Sequence, residues 1–437
     1  MDITTSFLPM LQVFAIVMTE PTADSFRQLV AGWLFAPRRT ILGMIRSANT
    51  SKHHSAYARV FASAVWSVDH VGFAVFDLVT KLVPQGKYYL CGDDTTIPRR
   101  GLKIFGVGMH RDACLSSRSH TVTRWGHCWV VLSVIISSRR DPNRKFAIPV
   151  LLRLYLNEKT NQRLGRKHHK KTDLMVEMLT ALHQHAPHTK LHFLGDSSFT
   201  GPRILQRIPP AIAVTGRLGT DARLNDPPPP PTGRRGRRCR RGKRLPKPSE
   251  MLQQKGLRRM SLKLYQHSNY YVRVATCQCR MYLAPERPIY VVAIEHLRGG
   301  RGIEVFYTTQ VEQSSAESML QEYSWRWPIE TTFHDSKQHL GIGQPQNRVR
   351  GAARRTAPTG FYLYGLIVLW HEYVRPEPGI IVRMWAGKRH SSFADMLATL
   401  RSDCLAETKQ RICCAPGISP AAQKIIEQLE HLLQLAA

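Results

Sequence analysis

Two long apolar runs constrain this chain most. His127 to Ile136 and Phe146 to Tyr155 hold few polar residues on either alternating set. A half-exposed strand alternates apolar and polar side chains, and these runs do not. Runs of this length and uniformity suit strands covered on both faces, as in a sheet packed between helices. Two shorter runs belong with them. Tyr88-Tyr-Leu-Cys91 is closed by Gly92-Asp93-Asp94-Thr95-Thr96, and Leu191-His-Phe-Leu194 by Gly195-Asp196. Ahead of the last run, Leu174, Met178, Leu179 and Leu182 recur at helical spacing behind Thr172, a residue suited to an N-cap. Three strands, a helix and a fourth strand predict a mixed α/β sheet. Two of the strands end in acids, and strand ends are where side chains converge over a sheet.

The segments on either side read differently. Residues 1–85 look helical, with Tyr57, Phe61 and Val65 at four-residue spacing on one apolar face. Arg38, Arg39, Lys52, His53 and His54 flank these helices, placed either for phosphates or for water. From 201 to 312 the chain turns irregular and then strand-rich. Pro227 to Pro231 precede eight cations between Arg234 and Arg244, among them Arg234, Arg235, Arg237, Arg238, Arg240 and Arg241. Such a segment cannot bury a core, so an unstructured basic loop is expected over 227–250. Tyr270–Ala275, Ile289–Ile294 and Val305–Thr309 then cluster β-formers. Past 345 the chain is basic from Asn347 to Arg355, and helices are expected over 358–374, 392–402 and 420–435.

Charge narrows the partner. Lys and Arg number 62 against 31 Asp and Glu, a net charge of +31. An excess of that size points to a polyanion, most simply nucleic acid. The basic loop reads as a phosphate clamp or tether. The nine cysteines include no C-x-x-C pair and read as reduced thiols of a cytosolic protein. Phe7–Met18 and Phe361–Trp370 are apolar but fall short of the ~20 residues a membrane helix needs, so no membrane partner is expected.

The stretch from Tyr323 to Lys337 carries the chemistry. Read as a helix at about 100° per residue, Arg326, Glu330 and Lys337 fall at about 300°, 340° and 320° from Tyr323. One narrow polar stripe thus holds a single acid between an aromatic hydroxyl and two cations, where a core-facing helix would place Leu or Ile. Pro328 predicts a kink or a helix start inside the run. The candidate acids are Asp94, Asp196 and Glu330, with Asp93 directly beside Asp94. Carboxylates brought together repel unless a cation stands between them. Oxygen ligands without His or Cys suit magnesium or manganese, and two such ions about 3.5–4 Å apart can drive displacement at a phosphodiester.

These residues carry a resemblance. Tyr323-x2-Arg326-x3-Glu330-x6-Lys337 is similar to the YREK block of bacterial insertion-sequence transposases of the DDE class. Asp94-Thr95-Thr96 resembles their first-acid block and Gly195-Asp196 their second. The interval from second acid to glutamate, 330 − 196 = 134 residues, leaves room for the β-rich insertion of such proteins. Arg38-Arg-Thr-Ile and His53-His-Ser-Ala-Tyr57 look like the leading region of one branch.

The resemblance implies an α/β fold: a ribonuclease-H-like mixed sheet with a β-rich insertion, flanked by helical N- and C-terminal regions. The expected layout is a helical DNA-binding region over 1–85 and the first catalytic part over 86–200. The insertion follows over 201–312, the catalytic helix over 313–345 and a helical region over 346–437. Asp94, Asp196 and Glu330 would hold two Mg2+ or Mn2+ ions, and Tyr323, Arg326 and Lys337 would grip the DNA strand. Some relatives stack a flipped base on a Trp of the insertion; no Trp stands there in this chain, so either Phe306 or Tyr307 takes that place or no base is flipped. The implied activity is cut-and-paste transposition on double-stranded DNA, at terminal inverted repeats and a target. It implies a homodimer on DNA, in the bacterial cytoplasm at the nucleoid. The alternatives are an inactive transposase-derived DNA-binding protein or repressor, and a non-enzymatic RNA-binding or structural protein.

Overall fold

The computed structural model describes residues 2–413 except 49, 113–114, 118, 231–238, 255–256, 265–267, 298–301, 313, 377–378 and 383. The apolar runs form strands. β1 (Tyr88–Pro98), β2 (Gly108–Arg111), β3 (Thr123–Ser137) and β4 (Lys145–Tyr155) precede β5 (Leu191–Gly195) and β6 (Ala213–Leu218). β4, β3 and β1 pair antiparallel, while β1, β5 and β6 pair parallel. The order β4-β3-β1-β5-β6 results, with β2 on the free end of β3. All of β3 from Gly126 to Ile136 is buried, which is why its sequence does not alternate.

The insertion continues the same sheet. β7 (Leu224–Asn225), β8 (Arg258–Leu264), β9 (Ser268–Met281), β10 (Ala284–His296) and β11 (Ile303–Thr308) join it through an antiparallel β11–β6 edge, making eleven strands. β6, inside the span read as insertion, pairs parallel with β5 and so belongs to the central sheet. Val272, Val274, Val292, Ile294 and Phe306 of the added strands build a second core with Met319, Leu320 and Tyr323.

Helices cover the sheet. α1 (Glu20–Phe35), α2 (Ile41–Ser47), α3 (His54–Ala62) and α4 (Val68–Leu82) form the leading bundle. Tyr57 and Phe61 are buried as their spacing requires, but α3 stops at Ala62 and Val65 is 91% exposed. Two of the flanking cations are used internally: Arg39 donates to the His339 carbonyl at 3.0 Å, and Lys52 pairs with Asp24 at 2.7 Å. α4 lies so close to β4 that a Cβ on Gly72 would stand 1.9 Å from the Val150 carbonyl oxygen. α5 (Lys171–His185) starts one residue ahead of the expected cap Thr172, where the Asp173 carboxylate accepts the Lys170 N–H at 2.8 Å. α6 (Ala316–Ser324), α7 (Pro328–Gln338), α8 (Arg350–Leu369) and α9 (Phe393–Cys413) follow, with α7 packed on β1, β4 and α8. The helix expected over 420–435 lies outside the described residues. Among the described residues no helix is long and apolar enough to cross a membrane.

Candidate active site

Strand register brings two acids together. β1 and β5 run parallel, and Gly92 pairs with Gly195 as their last couple. One residue further stand Asp93 and Asp196. Neighbouring parallel strands in register point matching side chains to one face, so Asp93 and Asp196 share a face. Asp94, the next residue along β1, points to the other.

The helices confirm the parity. On the Asp93 face, the Arg326 guanidinium reaches Asp93 Oδ2 at 3.4 Å and Glu330 Oε1 at 3.5 Å. Tyr89, of the same parity, donates to Glu322 and meets Trp325 edge-on. On the opposite face α5 covers Gly92, where a Cβ would strike the end of the Met175 side chain. There Lys171 Nζ bonds Asp94 Oδ2 at 2.6 Å, and the Cys128 thiol donates to the same oxygen at 3.4 Å. The structure therefore gathers Asp93, Asp196 and Glu330 on one face and leaves Asp94 across the sheet, paired with Lys171. Asp94, named with Asp196 and Glu330 as a candidate acid, thus lies on the other face from them, because alternation along the strand sends adjacent residues to opposite faces.

The expected single helix is two. α6 ends at Ser324, residues 325–327 form turns, and α7 begins at Pro328, whose missing N–H is harmless in a first turn. The break removes Tyr323 from the stripe. Tyr323 is only 6% exposed, with its ring 4.9 Å from Phe306 in the second core. Phe306 and Tyr307 are buried too, and the Tyr307 hydroxyl donates to the Thr200 carbonyl at 2.6 Å, so neither presents a surface to a base. Glu330, in the first turn of α7, remains 42% exposed, and Lys337 lies two turns on, half-buried.

Electrostatics mark the Asp93 face. Burial pushes the Asp93 carboxyl up to about 6; the Asp94 N–H and Arg326 oppose the rise, and the charges of Asp196 and Asp94 add to it. Burial alone would weaken the Arg326 charge, yet Tyr323, Asp93, Glu330 and Asp196 outweigh it and hold the guanidinium protonated. Asp196 Oδ1 accepts from the Ser198 and Phe199 N–H groups, both at 3.1 Å, and from the Ser198 hydroxyl at 2.7 Å, which fixes the carboxylate at the end of β5. Among the described residues no group of three His, Cys, Asp or Glu is closed up as a cation cage. The donor set still fits a hard divalent ion. It is carboxylate oxygen throughout, with Asp93 and Glu330 at either end of one guanidinium.

Basic surfaces lie beyond the acids. Of the loop cations, Arg234, Arg235, Arg237 and Arg238 fall outside the described residues. The loop's far end, expected to be unstructured, is tied down. Arg241 stacks 4.0 Å from the Tyr282 ring, Arg244 bridges to Asn225, and the Leu245 N–H bonds Leu224 at 3.0 Å. A second surface follows from the basic run that leads into the first turns of α8. Phe105 is flanked by Arg166 at 5.6 Å and Arg350 at 5.9 Å. Exposed Arg354 stands beside them, and its guanidinium is held below the usual range by partial burial and then by Arg350, Arg153 and Arg166. Arg350 and Arg354 lie in the basic run; Arg166 is brought to them only by the fold.

The family model of DDE superfamily endonucleases matches residues 14–274, more than half of the chain. The matched span includes Asp93, Asp94 and Asp196 and stops short of α7, which supplies Glu330. No curated protein matches the chain. With that match and with the sheet that carries the acids, the chain belongs to the DDE superfamily endonucleases.

Proposed function

We propose that this protein is a DNA transposase that cuts at the ends of its element and joins the freed strand to target DNA. Asp93, Asp196 and Glu330 are its three acids, which replaces Asp94 by Asp93 in the set drawn from sequence. The observation that carries this reading is the convergence of Asp93, Asp196 and Glu330 on one sheet face around Arg326. The three acids would hold divalent metal, Mg2+ or Mn2+. When bound, a pair of such ions supplies Lewis-acid activation for in-line displacement at a phosphodiester. The chain's own residues do the rest. Asp196 is held in place by the Ser198 and Phe199 N–H groups on one of its oxygens. Arg326 and Lys337 hold the phosphodiester, and Tyr323, buried behind Arg326, orients that arginine without touching DNA. Arg240, Arg241 and the Arg166–Arg350–Arg354 surface follow the phosphate backbone, an interaction that needs no base sequence.

The Tyr323–Lys337 spacing supports the YREK branch and an insertion-sequence origin, and with it a dimer holding two terminal repeats at the bacterial nucleoid. A retired DNA-binding descendant has no need of three acids around one arginine, so the repressor reading is not favoured. Nicking of end-containing DNA is the test. Cleavage should need Mg2+ or Mn2+ and stop with chelator, and Glu330→Gln should remove it while gel-shift binding persists. Cleavage by Glu330→Gln at the parent rate would end the assignment.

A further inference from the structure

Arg326 is held differently from Arg153, an arginine with a structural role. Arg153 grips Asp69 through two short bonds of 2.6 and 2.8 Å and adds Glu177 at 2.9 Å. Charge-assisted pairs of that length are close to the strongest available. Arg326 instead spans Asp93 at 3.4 Å and Glu330 at 3.5 Å, one nitrogen to each. Its side chain is only 14% exposed, and its buried Nε has no hydrogen-bond partner among the described residues. A buried donor without an acceptor is unfavourable. The guanidinium thus sits between two carboxylates without a good bond to either. That is the position of a counter-ion, not of a clamp. Glu330 is 42% exposed, so the seat opens to solvent on that side.

We infer that Arg326 occupies the cation seat of the metal-free protein and competes with divalent metal for Asp93 and Glu330. The inference rests on the assignment of these acids as metal ligands. A guanidinium and a divalent ion cannot share two carboxylates at close range, since their charges repel. Metal entry therefore displaces Arg326 from Asp93 and Glu330. The long bonds and the orphan Nε make that displacement easy. The freed fork of N–H donors is then available on the solvent side beside Glu330, where a phosphodiester is a better partner than either carboxylate was. One residue would in this way keep the carboxylates compatible with folding before metal arrives and hold the strand afterwards. Competition for one seat is a coupling free energy, and it shows in metal affinity without any turnover.

The test is Mn2+ binding to the full chain without DNA, read by the loss of the free-ion electron paramagnetic resonance signal. The proteins are the parent, Arg326→Ala, Arg326→Gln, Arg326→Lys and Glu330→Gln. Arg326→Gln keeps bulk and polarity should alanine disturb the fold. Removing the competing charge should tighten Mn2+ binding about tenfold, within the usual 5–150-fold range of such couplings. Arg326→Lys, which restores a cation, should return affinity toward the parent. Glu330→Gln should weaken it. Unchanged or weaker binding in both Arg326→Ala and Arg326→Gln, with Glu330→Gln still weaker than the parent, would overturn the competition while leaving the acids as ligands. Equal binding by the parent and Glu330→Gln would remove the ligand assignment and the inference with it.

Discussion

Asp93→Asn should make the metal-free protein more stable, by an amount that grows as pH rises from about 4 to about 6 and then levels off. Burial, reinforced by Asp196 and Asp94, pushes this carboxyl up from 3.8 to about 6, with the side chain 24% exposed. Its folded pKa is raised, so the contribution to stability is fully present below the unfolded value and is lost as pH rises through about 6. Above that range the ionised carboxylate is a liability. A carboxyl raised from 3.8 to about 6 corresponds to a penalty of about 3 kcal/mol for its ionised form. Asparagine copies the neutral form and should recover most of it. The assay is thermal unfolding in chelator from pH 8 down to pH 4, comparing Asp93→Asn with the parent. The variant should melt several degrees higher at pH 8, with the gap closing toward pH 4. A variant less stable than the parent at pH 8, or a gap that ignores pH, would refute the electrostatic reasoning. The gain would come with loss of cleavage, the expected pattern where a site is strained for function.

Three further outcomes are expected. Asp94→Asn should behave oppositely, destabilising by about 1–2 kcal/mol because it leaves the partly buried Lys171 without its carboxylate; urea unfolding at pH 7 measures it. Gly72→Ala drives a Cβ to 1.9 Å from the Val150 carbonyl oxygen, backbone that cannot step aside, and should cost about 1–3 kcal/mol in the same assay. Replacing Arg166, Arg350 and Arg354 together by alanine should weaken DNA binding and flatten the slope of log K against log salt by about 0.9 for each phosphate no longer neutralised; titration at several salt concentrations would show an unchanged slope if the surface does not meet DNA.

The sheet was legible because strands buried on both faces cannot hide. His127–Ile136 and Phe146–Tyr155 lack alternation because helices cover both sides of β3 and β4. The same property concealed the first acid. Tyr88 to Cys91 are apolar on both sets, so nothing in the run says which face Asp93 or Asp94 takes; the register with β5 and the positions of Lys171 and Arg326 decide it. The Arg326–Glu330 relation survived the break at Pro328, since the turn 325–327 keeps a nearly helical path. Tyr323 did not stay on the stripe. Its burial depends on Phe306 and the strands of a second core formed by residues some 20–50 positions earlier, a proximity no local period encodes. The insertion was readable as strands but not as a continuation of the central sheet, because strand partners are chosen by the whole fold.

The most direct test sets Asp93 against Asp94 in one assay. Purified parent, Asp93→Asn and Asp94→Asn would be given the same end-containing DNA with Mg2+, with gel-shift run in parallel. Asp93→Asn should bind DNA and cut it orders of magnitude more slowly, while Asp94→Asn, once corrected for folded fraction, should cut within a few-fold of the parent. Abolished cleavage in a folded Asp94→Asn together with parent-like cleavage in Asp93→Asn would contradict the site described here.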